Sequence, residues 1–286
     1  MLCTTNAIIK NPLYNELKGL NNSGTFHIIC RDCDKKIFAD YENPDNYIYP
    51  PTQKMLAEIS LKNNLQWISK RLNETEFYKL PELNKSNNDL CEYRNEINAL
   101  DLKEFKDSYK KAKKVIEKNS NTGYYLCFYK KLPYVVPIAF QSTIALVVDF
   151  EGNIINDIYN FSPDYEIRNI NLCVFPLESE SVVFIFIEDG DKRYRKFYKQ
   201  FNKLSSDDQL LSIVYMMFAY SEEIYFSKNI LNEIQNNTNL CNIGKTSLDM
   251  ISEIPFFNLH NILKNELSFE NRKGIPNLLS EKYKIK

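Results

Sequence analysis

Apolar residues recur at helical spacing in two stretches of the first half of the chain. In the first stretch, which follows the N-cap residue Thr52, the apolar positions are Met55, Leu56, Ile59, Ile68 and Leu72. This spacing predicts a helix over about 52–72. A second apolar stripe predicts a helix over about 101–118, with its lysines mostly on the solvated side. The polar, Asn-rich stretch 83–92 between them is predicted to be an exposed linker.

Short aromatic and β-branched runs replace the helical spacing after Gly123. Six such runs are separated by turn residues, at 124–129, 134–140, 144–149, 153–158, 171–177 and 182–188. The sequence Glu151-Gly152-Asn153 between two of them is typical of a hairpin turn. This pattern predicts a central antiparallel sheet of about six strands.

Helical spacing returns after the predicted sheet. Rings fall at i, i+3, i+4 and i+7 in Tyr194, Phe197, Tyr198 and Phe201. Ser206 and Gln209 then stand at capping-box spacing before the run 210–220. Because that run is apolar almost all round, it predicts the most buried helix of the protein. Further helix is expected over 227–235, and a short helical piece around 256–265.

The order of these elements predicts an α+β fold, with an N-terminal knuckle and helices, a central antiparallel sheet of about six strands and C-terminal helices. Four regions are expected along the chain. They are a metal knuckle over 1–50, a helical segment over 51–120, the sheet with its packed helices over 121–240 and a mixed tail over 241–286.

Composition narrows the classes of function. The 286 residues include 36 Lys+Arg and 37 Asp+Glu, which gives a net charge of -1. This balance argues against a surface that attracts nucleic acid everywhere, but it leaves room for a local basic patch. The first ten residues lack signal-peptide features and no apolar run has membrane-spanning length, so a cytoplasmic protein without membrane contact is expected. In that compartment, structural disulfides among the seven cysteines are not expected.

The pair Cys30 and Cys33 is the most informative chemical feature. Two thiolates separated by two residues can hold one metal ion, with each sulfur about 2.3 Å from it. A structural zinc site needs four ligands, and the available soft partners are His27 and Cys3. Oxygen candidates follow at Asp34 and Glu42. Zn²⁺ is therefore the candidate cofactor.

Two other interpretations of this pair remain open. A single Cys-x2-Cys without a second pair fits two free thiols in a turn about as well as it fits a metal site. A thioredoxin-like redox role is less favoured, because no βαβ unit follows and because Asp32 and Asp34 are expected to raise the pKa of the thiols.

Part of the chain resembles a group of uncharacterised bacterial proteins, many of them found on prophages and other mobile elements. The resemblance is carried by Ile29-Cys30-Arg31-Asp32-Cys33-Asp34-Lys35-Lys36-Ile37-Phe38 and by the segments 41–44 and 51–55 that follow it. In that group a Cys-x2-Cys-Asp or Cys-x2-His-Asp knuckle precedes Phe and an acidic residue. Some relatives add an upstream Cys-x2-Cys and a Glu-His pair, which resemble the zinc-supported core of HNH endonucleases.

This chain departs from the HNH-like pattern of those relatives. It has one cysteine, Cys3, near its start and it has no Glu-His pair, so neither a complete zinc core nor HNH catalysis is implied. The resemblance extends through the predicted sheet and the segment 193–204. It implies a prophage or anti-phage defence setting and no particular activity.

A basic and aromatic run extends from Lys192 to Lys203. Its candidate phosphate-binding residues are Arg193, Arg195, Lys196 and Lys199. Such cations can neutralise phosphates while neighbouring rings stack on bases, as in proteins that bind single-stranded nucleic acid. The favoured alternative is that the rings face the core and the cations form an ordinary solvated surface.

The last candidate site is a divalent-metal site formed by carboxylates. Asp149 and Glu188 lie near strand ends, and together with Lys192 they can converge on a divalent ion if their strands are adjacent. Acidic residues at strand ends are also common turn formers.

The leading hypothesis from the sequence is a prophage- or defence-associated protein with a structural zinc knuckle that binds a protein or nucleic-acid partner. The alternative is a divalent-metal-dependent nuclease, and whether the chain is an enzyme stays open.

Overall fold

The computed structural model of the chain describes residues 2–4, 28–158, 160–221, 224–246 and 264–285. The chain forms two compact units. The sheet unit comprises Met1–Thr25, Leu126–Asp157 and Arg168–Lys286, and the helical unit comprises Phe26–Tyr125 and Ile158–Ile167. The four regions expected from the sequence are thus grouped differently, since the C-terminal tail belongs to the same unit as the sheet.

The helical unit is built around two long helices. Its helices are α1 Arg31–Ile37, α2 Ala39–Glu42, α3 Gln53–Phe77 and α4 Pro81–Lys118, with a 3₁₀ helix at Pro44–Ile48. Thr52 caps α3 as predicted, because its side chain accepts a hydrogen bond from the backbone N–H of Met55. The two long helices pack against each other.

The predicted exposed linker over 83–92 is wrong, because these residues lie inside α4. Pro81 occupies the first turn of that helix, where its missing N–H has no helical partner to lose. The Asn-rich stretch that follows carries a modest helix-propensity penalty, which continuation of one long helix overcomes. Asn119 ends α4 in the left-handed conformation, with φ 47.

The fold is α+β with an antiparallel sheet, as predicted. The strands are β1 Leu2–Thr4, β2 Tyr124–Leu132, β3 Ile138–Ile144, β4 Ile170–Pro176, β5 Ser181–Glu188 and β6 Tyr225–Ser227. Their order across the sheet is β1-β6-β3-β4-β5-β2. Five strands, β2 to β6, form its body, and the three-residue β1 pairs with β6 at the edge.

The make-up of the sheet differs from the prediction. Four predicted runs are strands, but 144–149 and 153–158 form no regular strand pair beyond Ile144, and they meet in an isolated bridge between Val148 and Ile154. Instead, β6 contributes a strand between the helices predicted over 210–220 and 227–235. The alternation of apolar and polar residues could not show that 144–158 is not a regular strand pair, because long-range polar contacts hold the segment after β3.

One apolar core unites the sheet with the helices that follow it. These are α5 Arg195–Phe201, α6 Ser206–Tyr220, α7 Leu231–Asn236, α8 Thr238–Thr246 and α9 Phe269–Lys273, with 3₁₀ helices at Lys228–Ile230 and Glu281–Tyr283. Helix α6 was predicted to be the most buried helix, and in the structure its Ile213 and Phe218 are inaccessible to solvent. Its cap lies one residue earlier than expected, because Ser205 accepts from the backbone N–H of Asp208.

The helical piece expected around 256–265 lies almost entirely outside the described residues. None of the helices in the described ranges combines the length and the apolar composition that a membrane crossing needs.

Candidate functional site

Cys30 and Cys33 lie together at the start of α1. Cys30 is the N-cap residue, and its Sγ accepts a hydrogen bond from the backbone N–H of Cys33 at 3.3 Å. The carbonyl of Cys30 in turn accepts from the backbone N–H of Asp34 at 3.0 Å, which begins the helical hydrogen-bond pattern. Both thiols are exposed. The spacing seen in the sequence therefore places two accessible sulfurs on one turn.

The contact between the two cysteines shifts their pKa values in opposite directions. The side-chain hydrogen bond from Cys33, followed by its backbone N–H, lowers the pKa of Cys30, and the same side-chain contact raises the pKa of Cys33. The backbone N–H of Asp32 also lowers the pKa of Cys30. The expectation that the nearby aspartates raise the pKa of both thiols is thus wrong for Cys30, because the hydrogen bonds from Cys33 and Asp32 lower its pKa by more than burial raises it.

The remaining zinc ligands are not assembled within the described residues. No three His, Cys, Asp or Glu side chains in that part of the chain form a group that could hold a metal ion. His27 lies outside it, and of Cys3 only the backbone is described, opposite Phe226 in β1. The carboxylates of Asp34 and Glu42 both contact Lys62 instead, with Asp34 Oδ1 at 3.4 Å from its Nζ.

The basic and aromatic run divides cleanly between the two sides of α5. Tyr194, Phe197 and Phe201 are at most 1% exposed and belong to the core. The hydroxyl of Tyr194 donates to the carbonyl of Arg168 at 2.7 Å and accepts from the backbone N–H of Leu146 at 3.1 Å. These rings are therefore unavailable to stack on bases, and their helical spacing reflects the core.

The four predicted phosphate-binding residues differ in what they contact. Lys196 forms an ion pair with Glu151, with Nζ 2.7 Å from Oε2. Arg193 is half-buried and donates from Nη1 to Asn156 Oδ1 at 3.3 Å. Arg195 and Lys199 are exposed and make no ion pair within the described part of the chain.

Two more lysines of the run extend the surface formed by Arg195 and Lys199. Lys192 and Lys203 are also exposed and have no ion pair within the described ranges. With Arg195 and Lys199 they stand at i, i+3, i+7 and i+11 in the sequence. Arg195 and Lys199 lie one turn apart on one side of α5, and Lys192 and Lys203 lie in the segments that flank it. We call these four residues the basic face of α5. Sequence reasoning passed over Lys192 and Lys203 as phosphate contacts, although the period of the charges could have identified them.

The carboxylate of Asp149 stabilises the turn that contains it. Its buried carboxylate accepts hydrogen bonds from the backbone N–H groups of Glu151 and Asn153, each at 2.9 Å. The side-chain amides of Asn153 and Gln200 also donate to it. Gly152 completes the turn with φ 78, and a Cβ there would lie 2.5 Å from the carbonyl oxygen of Lys264.

The described geometry therefore gives no support to a catalytic centre of Asp149, Glu188 and Lys192. Glu188 ends β5 and is half-buried, and Lys192 is exposed. Carboxylate oxygens that already accept five hydrogen bonds have little capacity left for a metal ion. Asp149 instead matches the turn-forming alternative.

Comparison of the chain with protein-family models, with curated protein sequences and with solved structures gives no match in any of the three.

Proposed function

We propose that the chain binds nucleic acid through the basic face of α5. The observation that carries this proposal is the separation of the two sides of the helix, because the rings are held in the core while Lys192, Arg195, Lys199 and Lys203 remain exposed without carboxylate partners in the described ranges. Since the net charge of the chain is only -1, these residues form a local patch on an otherwise balanced protein.

The expected mode of binding is neutralisation of the phosphate backbone. Lysine and arginine that contact phosphates release condensed counterions, and this release makes affinity fall steeply with salt. Contacts to phosphate carry no direct information on base identity. Because Tyr194, Phe197 and Phe201 are buried in the core and cannot reach bases, weak sequence preference is expected, and single-stranded and duplex substrates should both bind.

A matched pair of variants tests the proposal. Arg195→Gln with Lys199→Gln removes two cations one helical turn apart, and Lys114→Gln with Lys118→Gln removes two exposed cations at the same spacing on α4. Fluorescence anisotropy with labelled single-stranded DNA and RNA at low salt should show weaker binding by the α5 variant alone. Equal loss in both variants would indicate a diffuse charge effect, and the proposed site would then be wrong.

The zinc site stays a separate proposal. It is supported by two exposed sulfurs on one turn, and the other ligands would come from residues such as His27 that lie outside the described part. The prophage or defence setting likewise stays a prediction. We do not propose the nuclease alternative, because the oxygens of Asp149 are occupied by its own turn.

A further inference from the structure

Exposure distinguishes Cys30 and Cys33 from the other cysteines. Among the six whose side chains the structure describes, these two are exposed, Cys241 is half-buried, and Cys91, Cys127 and Cys173 are buried. The backbone nitrogen of Cys33 lies 3.3 Å from Cys30 Sγ, so both side chains leave the same turn. One dissolved reagent can reach both sulfurs.

We propose that Cys30 and Cys33 are a redox-active dithiol that closes a reversible disulfide by exchange with a low-molecular-weight disulfide. This proposal is independent of nucleic-acid binding, because the cysteine pair lies in the helical unit and the basic face of α5 lies in the sheet unit. It is also compatible with a metal site, since the two sulfurs can hold a metal ion when reduced and each other when oxidised.

The exchange proceeds in two steps. The thiolate of Cys30 attacks one sulfur of the small disulfide, so that a mixed disulfide forms, the original sulfur–sulfur bond breaks and one small thiolate leaves with the electron pair. The thiolate of Cys33 then attacks the sulfur of Cys30 and expels the second small thiolate. The protein loses two electrons and two protons, and the small disulfide gains them as two thiols. An excess of small thiol reverses both steps.

The surroundings of the pair permit closure. Side chains three residues apart on a helix have Cβ atoms about 5–6 Å apart, whereas a disulfide needs about 3.8 Å. The first turn of α1 must therefore tighten by roughly 1–2 Å. This helix has seven residues and buries none of them, so the adjustment disturbs no core packing.

The test uses the reduced full-length protein with chelator present, so that no metal occupies the sulfurs. The protein is equilibrated with mixtures of oxidised and reduced glutathione, quenched with acid and digested with trypsin under denaturing conditions. Trypsin cleaves after Arg31, between the two cysteines, so a closed disulfide leaves peptides 19–31 and 32–35 joined until a reductant is added. The joined fraction should rise with the oxidised share of the mixture and fall when the ratio is reversed.

One variant identifies the resolving sulfur, and a second serves as its control. In Cys33→Ala, glutathione should remain attached to Cys30, because no second thiol expels it. Cys241→Ala, which removes a half-buried cysteine, should close the disulfide like the wild type. A wild-type protein that keeps glutathione on Cys30, or whose two thiols stay unreacted, would overturn the proposal. Neither outcome depends on whether nucleic acid binds, since that binding is measured with reduced protein.

Discussion

The hydroxyl of Tyr220, the last residue of α6, donates a hydrogen bond to the carboxylate of Glu266 in the segment that precedes α9. Burial of that carboxyl raises the pKa of Glu266 to about 7, and the hydrogen bond from Tyr220 offsets only part of this rise. The residue as a whole is partly exposed. The contact therefore connects the C-terminal segment to helix α6 through a group that titrates near neutral pH.

The first prediction concerns the pH dependence of stability. A raised pKa means that the folded state holds the proton of Glu266 more tightly than the unfolded state does. Its stabilising contribution is full below the usual pKa of about 4.5 and is lost as pH rises through about 7. Between pH 5 and pH 8, the wild type should therefore lose on the order of 2 kcal/mol of its free energy of unfolding through Glu266. Glu266→Gln should not show this loss.

Urea denaturation at the two pH values measures this effect. Glu270→Gln is the matched control, because Glu270 is exposed and pairs with the exposed Lys273. Since all other titrating groups are shared, the difference between the two variants isolates Glu266. Identical pH dependence in wild type and Glu266→Gln would contradict the raised pKa.

The second prediction concerns the buried hydroxyl of Tyr194. It donates to the carbonyl of Arg168 and accepts from the backbone N–H of Leu146 and the side-chain amide of Asn156. Burial raises its pKa, so it is a neutral donor at every physiological pH. Tyr194→Phe removes these three hydrogen bonds and leaves the buried backbone N–H of Leu146 without this acceptor, so it should destabilise the protein by about 1 to 3 kcal/mol.

Thermal and urea denaturation measure that loss. Tyr49→Phe removes the hydroxyl of a tyrosine that is 76% exposed, and it should change stability by less than about 0.5 kcal/mol. If both tyrosine variants were as stable as wild type, the polar contacts of Tyr194 would not hold the segment after β3 in place.

The third prediction is that protein purified without chelator carries close to one zinc ion per chain. Cys30 and Cys33 supply two thiolates on one exposed turn, which is half of a tetrahedral site. Cys30→Ser and Cys33→Ser should each lose the metal, whereas Cys241→Ser should retain it. Elemental analysis decides the matter, and a metal-free wild type with two freely titrating thiols at these positions would contradict the prediction.

The sequence pattern was sufficient to predict helices and strands that bury one face in the core. Helix α3, helix α6 and four strands could be predicted because burial imposes a period of 3.6 or 2 on their apolar residues. The segment 144–158 could not, because its conformation depends on the contacts of Asp149 with Gln200 and of Asn156 with Tyr194, residues about 40 to 50 positions away.

The candidate sites, like the fold, could be predicted from the sequence only in part. The Cys-x2-Cys spacing predicted two sulfurs on one turn, and the helical period predicted that the rings of α5 face the core. The sequence could not indicate that the hydrogen bonds from Cys33 lower the pKa of Cys30, nor that Glu151 pairs with Lys196 and leaves Arg195 unpaired within the described residues. Both facts depend on side-chain positions that spacing alone does not fix.

The most direct test of nucleic-acid binding by the basic face of α5 is the salt dependence of affinity for single-stranded DNA. Wild-type protein should show a linear fall of log K with log salt, and Arg195→Gln with Lys199→Gln should make that slope shallower by about 1.4, or about 0.7 for each lost phosphate contact. Lys114→Gln with Lys118→Gln should keep the wild-type slope. A wild type that does not bind at low salt, or an α5 variant with an unchanged slope, would contradict the proposed function.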